Sequence, residues 1–190
     1  MISITWAPSK YKMGLILVNE EPWREVPVTF LKKSPFKASY STLEEWQSVW
    51  NAWERQASKQ IAYDKLSRKS YLTDELKKIL LTFGFSISII EELIQNLKSL
   101  GYLSDNDYKE RLIQLSIKKK KSPLWIKQRL IKGNLSLEEE DYPQSLRKEM
   151  IRELMLKYQK KGEKVIGIIA RKGFSFEEVI QVYKNLIKDG

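Results

Sequence analysis

Leu76-Lys77-Lys78-Ile79-Leu80-Leu81-Thr82-Phe83-Gly84-Phe85-Ser86 is the stretch on which the fold turns, because its pattern returns twice. The second copy is Ile126-Lys127-Gln128-Arg129-Leu130-Ile131-Lys132-Gly133-Asn134-Leu135-Ser136, and the third Val165-Ile166-Gly167-Ile168-Ile169-Ala170-Arg171-Lys172-Gly173-Phe174-Ser175. Each has an aliphatic residue, another four on, and four later a Gly or Asn, then a large apolar residue and Ser. Four-residue spacing puts the aliphatic pair on one helix face. Gly84, Asn134 and Gly173 then end the helix, since Gly and next Asn reach positive φ at least cost. Phe85, Leu135 and Phe174 tuck back under the helix just ended, and Ser86, Ser136 and Ser175 are N-caps for the next segment. In the middle copy Asn134 is the stop, because Gly133 would break the register of the apolar pair. The string is a helix stop joined to a helix start, recurring at offsets of 50 and 39 residues.

Working outward, an amphipathic helix comes after the first stop (Ile89, Ile90, Leu93, Ile94, Leu97, Leu100) and after the third (Phe176, Val179, Ile180, Tyr183, Leu186). After the second, Leu137 to Tyr142 has room for only one or two turns before Pro143, which suits the first residue of the next helix. A longer helix precedes each stop-signal helix, at roughly 43–68, 105–121 and 143–161. The fold expected is mainly α, three tandem three-helix modules over 41–103, 104–142 and 143–190. Helix entry at Ser41-Thr42-Leu43-Glu44-Glu45 has a hydroxyl to cap and a glutamate three residues on to reach back. Residues 1–40 read as a small β-hairpin cap: Ile2, Ile4 and Trp6 alternate with polar residues, and Leu15–Val18 and Val26–Leu31 flank Asn19-Glu20-Glu21-Pro22-Trp23. Trp46, Val49, Trp50, Trp53, Ala57 and Ile61 form a helical stripe that packs this hairpin onto the first helix.

The 190 residues contain no Cys and no His. That removes Cys/His zinc sites, thiol nucleophiles and Ser-His-Asp triads together, and no spacing motif for carboxylate, lysine, serine or tyrosine chemistry stands out. Neither an enzyme nor a cofactor is expected. The run Glu138–Asp141 comes just after Ser136 and reads as negative charge offsetting a helix dipole, not as a metal site. The apolar run Met13–Val18 is too short for a transmembrane span and lacks the flanks of a signal peptide. With no disulfides, the cytoplasm is the expected compartment. No coiled-coil seam is present, and a monomer is expected.

Charge is concentrated. The chain carries 34 Lys and Arg against 24 Asp and Glu, a net +10. Residues 109–133 hold nine of the cations (Lys109, Arg111, Lys118, Lys119, Lys120, Lys121, Lys127, Arg129, Lys132) against Glu110 alone, which is eight of the ten net charges. Four consecutive lysines suit a helix C-terminus, but their mutual repulsion is relieved further by phosphates or acidic side chains. Trp125 lies between Leu124 and Ile126 just after Ser122-Pro123, and three successive apolar side chains cannot all face one core. Trp125 beside the lysines is placed to stack on a base, to anchor a protein interface, or to staple the turn to the preceding helix. Candidate partner or DNA contacts are therefore Lys118, Lys119, Lys120, Lys121, Trp125, Lys127, Arg129 and Lys132, with Arg171 and Lys172 at the third stop.

Over roughly residues 55–188 the chain resembles the RecX family, cytoplasmic regulators of the RecA recombinase. The resemblance rests on Asp74-Glu75-Leu76 with Leu80 and Gly84-Phe85; on Gly101-Tyr102-Leu103-Ser104-Asp105 through Tyr108 and Arg111-Leu112; on Ser122-Pro123 with Ile126, Gln128 and Leu130; and on Arg171-Lys172-Gly173-Phe174 with Glu177, Glu178 and Ile180. Ser122 and Asn134 replace glycines of the family pattern, and Trp125 stands where a polar or basic residue is more typical. The resemblance implies an elongated, curved array of three-helix modules without a catalytic centre. It further implies a modulator lying in the groove of the RecA filament on single-stranded DNA, blocking growth or promoting disassembly and so lowering ATP hydrolysis, strand exchange and co-protease activity. Helices of 12 to 17 residues are about 18–25 Å long, so three modules in a row reach roughly 60–75 Å. The alternative is a basic helical protein that acts by occupying DNA without a protein partner.

Overall fold

The computed structural model of the chain describes residues 1–32 and 36–188, which form two compact units, 1–104 and 105–190. The first opens with a four-stranded antiparallel sheet, β1 (Ile2–Pro8), β2 (Met13–Val18), β3 (Glu21–Pro27) and β4 (Ser39–Tyr40), in the order β3-β2-β1-β4. This corrects the expectation of a hairpin alone. The 19–23 loop is also shorter than expected: Asn19 and Glu20, at φ 52° and 70°, make a two-residue turn of the kind that matches strand twist. Pro22 and Trp23 consequently belong to β3, an outer strand where a missing N–H is tolerated. Val28–Leu31, expected to be extended, forms a single turn of helix, α1.

Helix α2 (Leu43–Arg68) begins at Thr42, whose Oγ1 accepts from the Glu45 backbone N–H at 3.2 Å while Glu45 accepts from the Ser41 N–H at 2.8 Å. Trp46 and Trp50 are fully buried with Ile4, Ile16, Val26, Leu31 and Tyr40, so the tryptophan stripe packs the sheet onto α2. Further along, Ala62 joins the core of α3 (Thr73–Thr82) and α4 (Ile87–Ser99). Where the two cores meet, the stripe carries a carboxylate: Glu54 is 1% exposed. Its oxygens accept from Arg24 Nη1 at 3.1 Å and from Trp50 Nε1 at 2.8 Å, and also from the Ser86 backbone N–H. One buried anion thereby ties β3, α2 and the entry of α4 together. The α3 stop presses on the same strand, since a Cβ at Gly84 would stand 2.6 Å from the Glu25 carbonyl oxygen.

The second unit contains α5 (Asp105–Lys118), α6 (Pro123–Leu130), α7 (Gln144–Tyr158), α8 (Lys164–Arg171) and α9 (Phe176–Lys188). Leu112 and Ile113 of α5, Ile126 and Leu130 of α6, Met150, Ile151, Leu154 and Met155 of α7, Val165 and Ile169 of α8 and Val179 and Val182 of α9 share one core. All three aliphatic pairs of the repeat are buried, Leu76/Leu80, Ile126/Leu130 and Val165/Ile169. Their stops have the expected left-handed backbone, φ 76° at Gly84, 52° at Asn134 and 93° at Gly173. Residues 137–142 form turns and no helix, so Ser136 caps nothing there.

Consequently the acidic run starts no helix of its own, although Glu139 accepts from the Gln144 N–H at the start of α7 at 3.0 Å. Asp141 instead pairs with Lys109 at 2.6 Å, and Glu139 with Arg147 at 3.0 Å. Arg147, in turn, donates to Glu178 of α9 at 2.8 Å and to the Tyr142 carbonyl. Hydrogen bonding from Arg147 holds the Glu139 carboxyl below its ordinary range. Burial works to raise that of Asp141, but the bonds from Lys109 and the Glu138 backbone outweigh it and the net direction is down. Among the described residues, no helix is long and apolar enough to cross a membrane.

Candidate polyanion interface

Helix α5 ends in Lys118-Lys119-Lys120-Lys121. Its last carbonyls are closed by Lys120 N–H to Ile117 O at 3.0 Å and Lys121 N–H to Ser116 O at 2.8 Å, which requires Lys120 at φ 50°. A side-chain-bearing residue in that region costs about 1–2 kcal/mol, which Gly would avoid. The backbone of the run is pinned from outside by the Tyr142 hydroxyl, which donates to the Lys121 carbonyl at 2.7 Å. Burial pushes that hydroxyl's pKa up, so it stays a donor.

Immediately after the lysines, buried Ser122 starts α6, its Oγ accepting from the Trp125 N–H at 3.3 Å with Pro123 in the first turn. This is the physical use of Ser122. Asn134, at φ 52°, serves as a glycine would. Of the three apolar residues in that turn, Ile126 is buried and Leu124 is half exposed. Trp125 is partly buried, with the Arg129 guanidinium 3.7 Å from its ring centre and Lys121 Nζ at 5.8 Å. The α8 stop lies against this same turn: a Cβ on Gly173 would stand 2.6 Å from Ser122 Oγ and 3.0 Å from Leu124 Cβ.

These elements enclose a hollow of about 460 Å³. Lys118, Lys119, Lys120, Lys121, Trp125 and Lys172, all singled out in the sequence, line it together with Lys157 and Tyr158, which are not. No local signal marks Lys157 and Tyr158; only the docking of α7 beside α5 places them there. Lys157 and Lys172 lie 5.9 and 5.6 Å from the Tyr158 ring centre. Glu153 pairs with Lys120 at 2.6 Å, and among the described residues no carboxylate pairs with the other five lysines. Lys127 lines a separate hollow beside Glu138, Glu139 and Arg147, while Arg129 lies on Trp125 and Lys132 and Arg171 are exposed elsewhere. The ten predicted contacts thus divide: six converge and four do not. Chemically, the arrangement presents ammonium groups and two aromatic rings.

No protein-family model and no curated protein matches the sequence. Among the solved structures that share the fold are two of RecX. "Regulatory protein RecX" aligns with a TM-score of 0.60 at 17% identity, over 97% of this chain and 100% of that one. RecX from Lactobacillus salivarius aligns with a TM-score of 0.59 at 21% identity, over 71% of this chain and 97% of that one.

Proposed function

We propose that the chain is a RecX-like, non-enzymatic regulator that binds the RecA filament on single-stranded DNA and inhibits its growth or activity. The observation carrying this is the fold, which matches that of a RecX structure over nearly the whole of both chains. Its support from the residues is the cluster of cations at the α5–α6 junction, which suits a partner built of DNA phosphates and acidic protein surface. In this reading the sequence modules 41–103, 104–142 and 143–190 supply successive contact surfaces to the filament. The protein works as a monomer in the cytoplasm, lowering ATP hydrolysis, strand exchange and co-protease function.

DNA-dependent ATP hydrolysis by purified RecA tests it, with the protein added well below one per protomer and single-stranded DNA in excess. A fall in hydrolysis is the expected result. Inhibition only when the protein is abundant enough to cover the DNA would overturn the filament reading in favour of DNA occupancy.

A further inference from the structure

The lysine-lined hollow holds more positive charge than its fold requires. Three helix C-termini meet there, those of α5, α7 and α8. Each carries about half a negative charge, which accounts for a lysine or two. Glu153 offsets Lys120. Lys118, Lys119, Lys121, Lys157 and Lys172 then face one space without a carboxylate among the described residues. Like charges gathered from three separate segments of chain repel, and solvent exposure elsewhere on the helices would relieve that repulsion.

Backbone strain falls at the same spot. Among the described residues, the other positive-φ positions that close the repeat and α4 helices are Gly84, Gly101, Asn134 and Gly173. Among the α-helix ends of the described residues, only that of α5 gives the place to a long side chain, Lys120; Tyr11, Lys12 and Glu20 have positive φ in the turns of the sheet. Strain retained where a cheaper residue exists marks a site whose side chain has a use. The hollow is within the size range of nucleotide-sized ligand sites. Trp125 and Tyr158 add aromatic surface to its wall.

We infer that this hollow is a binding site for a chain of linked phosphates, whether free polyphosphate or the phosphate tail of a nucleoside di- or triphosphate. Several ammonium groups in a small volume fit consecutive phosphates better than one isolated phosphate, because each supplies charge-assisted bonds to a different oxygen. Occupancy neutralises the lysines and competes with any larger polyanion for them. The inference stands without the filament reading, since it needs neither RecA nor DNA.

Isothermal titration of the full chain at about 0.15 M salt, with sodium tripolyphosphate, ATP and adenosine as separate ligands, tests it. Saturable binding of tripolyphosphate at one site per chain is expected, with no binding of adenosine. Lys118→Gln/Lys121→Gln/Lys172→Gln together should weaken binding by more than about tenfold, since each charged bond removed counts separately. Lys127→Gln/Lys132→Gln, outside the hollow, should leave it unchanged, and circular dichroism should show both variants folded. Equal affinity for tripolyphosphate and ATP identifies the phosphate chain as the whole ligand. Tighter ATP binding that Trp125→Leu abolishes identifies a nucleotide. Unsaturable binding at many sites, or equal weakening by the two lysine variants, would overturn the proposal.

Discussion

Gly173→Ala probes how the α8 stop is fitted to the α6 start. At φ 93° a Cβ is strained whatever the space, at about 1–2 kcal/mol. Here the space is also taken, with Ser122 Oγ at 2.6 Å and Leu124 Cβ and Cδ2 at 3.0 and 3.2 Å. Forcing a methyl into such packing adds about 1–3 kcal/mol, for a total near 3 kcal/mol. Gly101→Ala is the control: φ is 72° and nothing lies within 4 Å, so only the backbone cost of about 1 kcal/mol applies. The two changes fall in different units, so amide hydrogen exchange should be read separately in α3–α4 and α6–α8. Ser122→Gly costs only a few tenths of a kcal/mol as a cap change. Combined with Gly173→Ala, it should recover about 1 kcal/mol by removing the nearest clashing atom. Equal losses for the two alanine variants, with no recovery in the double variant, would refute the argument that close approach, and not φ alone, requires Gly173.

Glu54→Gln leaves Arg24 without its counter-ion beside two tryptophans and should cost about 2–3 kcal/mol, seen in urea unfolding monitored by fluorescence; a loss below about 1 kcal/mol would count against the junction described. Glu139 and Asp141 have carboxyls held below their ordinary values of 4.5 and 3.8. Their contribution to stability is therefore present above those values and is lost as pH falls through the lowered ones. The unfolding midpoint of residues 105–190 should drop below about pH 4, and Lys109→Met/Arg147→Met should flatten that drop while lowering stability at neutral pH. Trp125→Leu should leave the fold of α6 intact, because Ser122 caps the Trp125 backbone N–H and not the indole; loss of α6 protection in hydrogen exchange would contradict this.

The helical repeat is legible in one dimension because its information is local. The pairs Leu76/Leu80, Ile126/Leu130 and Val165/Ile169 report their burial through spacing alone, and Gly84, Asn134 and Gly173 report the helix ends through backbone sterics. Even the choice of Asn134 over Gly133 rests on register, and the structure has only Asn134 left-handed. The sheet is harder to read, since β1 and β4 join through pairing across the chain, and a Pro in β3 disguises a strand whose tolerance depends on its outer position.

Long-range electrostatics are hidden for the same reason. Glu54 sits on an apolar stripe, and nothing in its neighbourhood names Arg24 or the Ser86 N–H as partners. Glu138–Asp141 has the pattern of a helix start, whereas Lys109 and Arg147 make it a clasp. In the candidate site, composition identifies the lysine run, but Lys157 and Lys172 arrive from helices distant in sequence. Local backbone preferences act over four or five residues and leave their mark in the order of amino acids. Which charges share a hollow depends on how helices dock, and that is settled by the core each shares with its neighbours.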